Sequence, residues 1–224
     1  MRKRRREPTL RAFAPRRAPR QRRSLVLFDK ILLTARTLFE REGYRYVTTN
    51  RIAAAANISI GSLYQYFSNR ESIALAVYES ACAKAALAMK RRTLESLGLS
   101  LEASIPVNIA HLFDIFERDR YALLQLIEEA PELGNTSLPF SFANLIGHTA
   151  QAALQQRFSE ASSTAIARKV YVMNACVVGF ISRYLNERPE MLSKTAAIAE
   201  ISCLVQRYIE ALYSDHSADA SPSP

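Results

Sequence analysis

The sequence predicts an all-α protein, with a small helix-turn-helix unit near the N-terminus and a larger helical domain after it. Two observations support this fold class. Apolar residues recur at the three- and four-residue spacing of amphipathic helices along most of the 224 residues. The stretch TTNRIAAAANISIGSLYQYF, residues 48–67, has the layout of two short helices joined by a tight turn, the second of them rich in aromatic residues.

The first 23 residues carry the excess of positive charge. They contain eleven Arg or Lys and one acid, Glu7, so they hold more than the whole net charge of +9. With three prolines and no apolar run, this arm cannot build a core, and we predict it to be disordered and not a secretory signal. Its composition suits neutralisation of nucleic-acid phosphates. A solvated tail, or a true start nearer Ser24, is the alternative interpretation.

An apolar stripe that ends at a glycine marks the first helix of a head domain predicted over residues 24–72. Gly43 can adopt the left-handed backbone that ends a helix. We expect the stripe to face the core of the head, and it consists of Leu27, Ile31, Ala35, Leu38 and Phe39.

Residues 48–67 are predicted to form the helix-turn-helix itself. Thr48 and Thr49 carry hydroxyls that suit the start of a helix. Asn57 tolerates the left-handed turn that must follow, and Ser59 is a plausible cap for the next helix. Leu63 and Phe67, four residues apart, should face the core. Two caps compete for the helix after it, because Ser68 with Glu71 spells a capping box while Asn69 is itself a good cap.

Residues 25–80 resemble the TetR-type (TetR/AcrR) family of bacterial transcriptional regulators. Two positions depart from the family pattern: Asn57 replaces a usual glycine, and Ile60 stands where a polar or basic residue is common. The resemblance rests on Ile31, Ala35, Leu38, Phe39, Gly43, Tyr44, Thr48, Thr49, Ile52 and Ala53, and on GSLYQYF followed by Asn69, Arg70 and Glu71.

This resemblance implies a DNA-binding surface on the second and third helices. The residues expected to contact phosphates are Thr48, Thr49, Tyr64, Tyr66 and Arg70, and those expected near base edges are Asn50, Ile60, Ser62 and Gln65. Ser59 begins the recognition helix, and Gly61 would allow close approach of the DNA backbone. Gln65 could pair with adenine, which is worth ~1–3 kcal/mol of discrimination, and Ile60 could contact a thymine methyl. The alternative for Tyr64 and Tyr66 is packing between helices.

Residues 73–214 are predicted to form one helical domain, followed by a frayed tail at 215–224. No stretch of 18 or more apolar residues occurs, so we expect no membrane span. The expected helices run from Arg70 toward Leu97 and Gly98, from Ser100 through Pro106 to Phe116, over Tyr121–Glu129, Phe140–Phe158 and Ser163–Asn186, and over Ser193–Tyr213.

By the same resemblance, this domain should bind a small-molecule effector and form a homodimer through its last two helices. The candidate effector contacts are Phe113, Phe116, Tyr121, Phe142, His148, Tyr171 and Asn174. The candidate interface residues are Ala175, Val178, Gly179, Ala197, Ile201, Leu204, Val205 and Tyr208. The alternative for the last two helices is that their apolar stripes only close the protomer's own core.

The remaining reactive residues suggest no other chemistry. Cys82, Cys176 and Cys203 are widely separated in apolar patterns, so we predict buried thiols and no disulfide. His111 and His148 have no partners at metal-ligand spacing, and we predict neither a metal nor a cofactor. Because the chain has no nucleophile elbow and no phosphate-binding glycine loop, we expect it not to be an enzyme.

The sequence therefore favours a cytoplasmic, homodimeric regulator of bacterial transcription that binds a palindromic double-stranded operator. The expected action is repression, relieved when an unidentified small molecule changes the geometry of the two heads through the fourth helix. An effector-dependent activator and a protein that binds nucleic acid nonspecifically through its arm are the alternatives.

Overall fold

The structure of the protein is a computed structural model that describes residues 22–130, 133 and 138–218, with side chains described at 22–130, 133 and 146–210. Nearly all of the predicted arm and the last six residues of the predicted tail lie outside the described residues. Residues 215–218, which were predicted to fray, continue the last helix instead.

The described chain is helical and contains no β-strand, as the periodicity predicted. A 3-10 turn, Tyr44–Tyr46, follows the first helix, and a π-helical turn, Tyr121–Gln125, precedes the sixth. The helices are α1 (Arg22–Glu42), α2 (Thr49–Ala55), α3 (Ile60–Tyr64), α4 (Arg70–Glu95), α5 (Leu101–Arg118), α6 (Leu126–Glu129), α7 (Leu138–Arg157), α8 (Ser163–Glu187) and α9 (Lys194–Ala218).

The described residues divide into two compact units. One unit, called the head here, runs to Lys84 and also takes in the chain from Asp119 through α6. The other, called the ligand unit after the effector site that the sequence analysis expects there, holds Ala85–Arg118 and the helices from residue 140 onward. This division differs from the predicted boundary at residue 72, because α4 continues past it as one helix and because a later segment joins the head.

The head is built on α1, which packs against α2 and against both turns. The largest fully buried side chains of the head are Tyr44, Phe39, Phe67, Ile31, Ile52, Leu63, Ile73, Leu75 and Leu126. Gly43 has a φ of 84° and a ψ of 139°, so the expected positive φ is present although ψ is extended and not left-handed helical. Burying this stripe against the two short helices supplies the apolar driving force for the head.

Local capping signals in the head behave as predicted. Thr48 accepts a hydrogen bond from the Arg51 N–H at 3.3 Å, and Ser59 accepts one from the Ser62 N–H at 3.0 Å. Asn57 has a φ of 50°, the left-handed turn expected of it. The competition at the start of α4 is settled by Asn69, whose Oδ1 accepts the Ser72 N–H at 2.8 Å.

The segment after α5 was predicted as one helix, and it instead contains the π-helical turn before α6. Glu129 ties this segment to the end of α1, because its carboxylate accepts the Tyr44 N–H at 2.7 Å and the Tyr121 hydroxyl at 3.1 Å. A second tie is the ion pair of Arg36 with Asp119 at 2.8 Å. Burial, and then the Glu129 carboxylate, raises the pKa of Tyr121 above its usual range, so the phenol stays protonated as a donor.

The ligand unit is formed by helices that pack around α5. Both α8 and α9 pack against α5, and Phe113 meets Tyr184 edge-on at 5.5 Å between ring centroids. Near the start of α9, the Lys194 ammonium donates to Asp114 at 2.8 Å and to Glu117 at 2.6 Å. These two hydrogen bonds raise the pKa of Lys194.

Two helices in the described chain are long and apolar enough to cross a membrane by length and composition. The expectation of no such segment was therefore too simple, since it counted only uninterrupted apolar runs. In α4 the apolar window is 67% buried inside the protein, as in a core helix, whereas in α8 it is 22% buried. Much of the apolar surface of α8 therefore faces outward.

We predict that Glu129→Gln lowers the free energy of unfolding by about 1–3 kcal/mol, because the Tyr44 N–H loses a charged acceptor. Hydrogen exchange of the amides at 44–46 should accelerate in the same variant. Glu160→Gln changes an exposed glutamate outside the head and should change neither quantity. Unchanged exchange at Tyr44 in Glu129→Gln would show that this bond does not hold the segment in place.

Candidate nucleic-acid interface

The exposed face of the helix-turn-helix is formed by the start of α2 and by α3. Ile60 is 37% exposed and Tyr64 is 40% exposed, although both are large and apolar in part. The other exposed members of this face are Thr48, Asn50, Ser59, Gly61 and Gln65. The structure therefore brings most of the residues predicted to contact DNA onto one surface.

Hydroxyl groups hold this surface together. The Tyr64 hydroxyl lies 3.2 Å from Thr49 Oγ1, which links the end of α3 to the start of α2. The side chains of Ser59 and Ser62 lie 2.8 Å apart, so both hydroxyls are oriented by each other as well as by the helix cap. Hydroxyls fixed in this way can donate to phosphate oxygens without first being ordered.

Gly61 lies on this face without any packing need for a glycine. Among the described residues, a Cβ atom built at this position would meet only Ser59 Oγ, at 3.8 Å, which is ordinary contact. Glycine in an exposed helix costs stability relative to alanine. Its presence therefore fits a role in letting another backbone approach closely.

Two of the predicted phosphate contacts are engaged inside the protein. Tyr66 is only 7% exposed and meets Phe28 edge-on at 6.1 Å, so it belongs to the core of the head. The Arg70 guanidinium lies 4.2 Å from the centre of the Tyr44 ring and donates to the carbonyls of Tyr44 and Arg45. The packing alternative therefore holds for Tyr66, and Arg70 is not the free exposed cation that the sequence suggested.

The chain before α2 adds exposed residues that the sequence analysis did not select. Tyr46 is 74% exposed, and Arg45 beside it is also exposed. Arg51 is held by an ion pair with Glu42 and donates to the Tyr46 carbonyl at 3.1 Å. Hydrogen bonding from Arg41, followed by the charge of Arg51, lowers the pKa of Glu42. Arg45 and Tyr46 directly precede Val47 and Thr48 in the sequence, and this position next to the helix-turn-helix could have identified them as candidate DNA contacts.

The predicted effector contacts are mostly core or surface residues. Phe113 and Phe116 are fully buried in the ligand unit, and Tyr121 belongs to the head. His148 and Tyr171 are exposed, and the side chain of Phe142 lies outside the described residues. Within the ligand unit, a cavity of about 140 Å³ is lined by Asn174 and by side chains of α4, α5, α7, α8 and α9.

Three of the residues predicted to form the dimer interface are buried within the protomer and are not available for an interface. Ala197, Ile201 and Val205 are at most 4% exposed and pack inside the ligand unit, because they form the inward face of α9. Ala175 and Gly179 on α8 are exposed, and so is Leu204 on α9, while Val178 and Tyr208 are half-buried.

The three cysteines differ in solvent exposure, which their apolar sequence context did not indicate. Cys82 is buried, and burial raises the pKa of its thiol to about 12, which keeps it protonated and unreactive. Cys176 and Cys203 are exposed, so the expectation of three buried thiols was wrong for these two. Among the described residues, no group of three or more His, Cys, Asp or Glu side chains is placed to hold a metal ion.

The sequence pattern described as "Bacterial regulatory proteins, tetR family" matches residues 31–77. This range covers the helix-turn-helix, the end of α1 and the start of α4. No curated protein matches the chain at a significant level.

Several solved structures share the fold at low sequence identity. The TetR family repressor AlkX from Dietzia sp. strain DQ12-45-1b is 18% identical, covers 84% of this chain and 95% of its own, and has a TM-score of 0.57. The fatty acid degradation regulator FadR from Bacillus halodurans is 15% identical, with coverage of 84% and 97% and a TM-score of 0.59.

A putative TetR-family transcriptional regulator from Mesorhizobium loti MAFF303099 is also similar. It is 15% identical, covers 87% of this chain and 98% of its own, and has a TM-score of 0.66. At these identities the likeness concerns the fold, which extends over both units. The family pattern over residues 31–77 and the helical fold agree with the exposed helix-turn-helix, and together they support a TetR-type, DNA-binding regulator of transcription.

Proposed function

We propose that the protein is a sequence-specific repressor that binds a palindromic operator as a homodimer and is released by a small-molecule effector. The observation that carries this proposal is the exposed, hydroxyl-ordered face of α2 and α3. AlkX, which shares the fold, is a repressor, and we propose the same direction of regulation here. Its site of action would be the bacterial cytoplasm, where the operator is found.

The DNA contacts are proposed from the exposed part of the head. Thr48 and Thr49 would bind phosphates together with Tyr64, whose hydroxyl is already held near Thr49. The residues proposed to meet base edges are Asn50, Ile60, Ser62 and Gln65. Because α3 is only five residues long, its exposed face can enter a major groove as a single surface.

The homodimer is proposed to form through an apolar surface on α8, called the α8 stripe, with Leu204 of α9 beside it. The stripe follows helical spacing, and each of its members is exposed: Tyr171, Val172, Ala175, Cys176 and Gly179. Leu204 lies one turn before Tyr208, whose ring is 4.3 Å from the Lys169 ammonium of α8. A continuous exposed apolar patch on two helices is typical of an obligate interface.

The effector is proposed to occupy the cavity of the ligand unit, and two chain connections could transmit its binding. Met89 and Thr93 of α4 line the cavity, and the same helix begins in the head at Arg70. Leu112 of α5 also lines it, and the segment that follows α5 belongs to the head. A ligand that prefers one arrangement of these helices would shift the spacing of the two heads.

The first experiment is selection of bound duplexes from a random pool by the full chain and by a variant lacking residues 2–23. We expect the same palindrome from both, with half-sites one helical turn apart, about 34–36 Å. The truncated protein should lose about 0.9 in log–log salt slope for each phosphate contact removed. Retained binding without an enriched sequence would favour the arm-driven, nonspecific alternative.

A second prediction concerns Gly61→Ala. The fold should be unchanged or stabilised by up to about 1 kcal/mol, because the site has room for a methyl group and alanine favours a helix. Affinity for the selected duplex should fall about tenfold or more, since the methyl group would hold the DNA backbone away. The control is Gly98→Ala, where a Cβ atom also has open space but lies outside the head. Equal affinities of both variants would remove Gly61 from the interface.

A third prediction concerns Gly179→Arg. No atom of the described residues lies within 4 Å of a Cβ atom built at Gly179, so the protomer should fold normally. The charged side chain would disrupt the α8 stripe, and the dimer dissociation constant should rise at least about 100-fold in analytical ultracentrifugation. Leu87→Arg places the same charge at a residue that is 70% exposed on α4 and serves as control. A dimer unaffected by Gly179→Arg would place the interface elsewhere.

A further inference from the structure

The cavity of the ligand unit is lined mostly by apolar residues, with a single charged side chain. Of its 21 lining residues among those described, 14 are apolar and six are polar but uncharged, while Arg157 alone carries a charge. Its volume of about 140 Å³ is close to the roughly 150 Å³ of an apolar cavity that holds one benzene molecule. The cavity therefore suits a compact apolar body.

Three of the six polar side chains that line the cavity, those of Thr93, Ser96 and Asn108, are bonded to one another. Asn108 Nδ2 donates to Ser96 Oγ and to the Ser104 carbonyl, both at 2.8 Å. Asn108 Oδ1 accepts the Thr93 hydroxyl at 3.3 Å. Because these groups already have partners, an apolar ligand beside them leaves no buried polar group unsatisfied.

Arg157 lies at the edge of the cavity and is oriented by the turn between α4 and α5. Its Nη2 atom donates to the carbonyls of Leu97 and Leu99, and the Nε and Nη1 N–H groups have no acceptor among the described residues, so they can donate to a ligand. Arg157 also lines a second, more polar depression together with Gly98 and Ser100. The guanidinium therefore stands between an apolar interior and an open, polar rim.

From this geometry we propose that the cavity binds a small monocarboxylate, with a compact apolar body about the size of a benzene ring or a six-carbon chain inside and its carboxylate on Arg157. The inference rests on the proposed function in taking this ligand as the effector. A planar guanidinium with free donors is the side chain that best matches a carboxylate. A cationic ligand would be buried without a counter-charge among the described lining residues.

The test is isothermal titration of the full-length protein at pH 7 with hexanoate and benzoate, and with hexan-1-ol and hexylamine as matched probes. We expect saturable binding of both carboxylates, at least about tenfold weaker binding of hexan-1-ol, and none of hexylamine. Equal binding of hexan-1-ol and hexanoate, binding of hexylamine, or no binding of either carboxylate would overturn the proposal.

Substitutions at and near the cavity test whether the carboxylate of the ligand binds to Arg157. Arg157→Gln should weaken hexanoate at least about tenfold and leave hexan-1-ol unchanged, whereas Arg91→Gln, which changes an exposed arginine of α4, should affect neither. Because Arg157 also holds the α4–α5 turn, Ala150→Leu provides a second variant that narrows the cavity without touching that turn. It should weaken hexanoate and hexan-1-ol together. Unchanged hexanoate binding in Arg157→Gln or in Ala150→Leu would overturn the assignment.

Operator affinity measured with and without hexanoate distinguishes failure of the ligand assignment from failure of the proposed function. If hexanoate binds with the expected selectivity but leaves affinity for the selected duplex unchanged, the ligand class stands and effector release by it fails. If no carboxylate binds while the protein still selects a palindrome, the ligand class fails and the DNA-binding proposal stands.

Discussion

The position of Tyr44 is the constraint on which the rest of the head depends. Its ring is buried and meets Phe39 edge-on, with centroids 5.4 Å apart, and the Arg70 guanidinium lies over it. Its N–H donates to Glu129, 85 residues later in the chain. The end of α1, the start of α4 and the segment after α5 therefore meet at one residue. A buried N–H without an acceptor is costly, so this segment cannot leave without destabilising the head.

The same packing determines where the head can obtain electrostatic affinity for DNA. Arg70 is bonded to backbone carbonyls around Tyr44, and Arg51 is paired with Glu42. The five residues of α3 include no Lys or Arg. The recognition face thus presents oriented hydroxyls and Ile60, which favour shape and hydrogen-bond recognition over charge. Arg45 is exposed beside this face, and we propose that it and the basic arm of residues 1–23 supply the positive charge that neutralises phosphates.

The sequence alone was sufficient to predict features that depend on neighbouring residues, such as helix caps and turns. Thr48, Asn57 and Ser59 act through bonds and backbone angles within three residues, and each adopts its predicted role. Sequence alone could not decide between packing and DNA contact for Tyr66, and it did not indicate the engagement of Arg70, because the partners of both residues lie far away in sequence. The effector contacts could not be predicted either, because aromatic residues such as Phe113, which were expected to contact the effector, pack in the core. Asn108 and Arg157, at the cavity, looked like ordinary polar helix residues.

If the ordered polar face of α3 reads DNA sequence, the protein must distinguish its palindrome from other duplexes, and the specificity ratio measures this. Affinities for the selected palindrome and for a scrambled duplex of equal length and composition should be measured at one fixed salt concentration near physiological. We expect a ratio of at least about 10³. A ratio near one, at comparable overall affinity, would contradict it and show that charge alone drives binding.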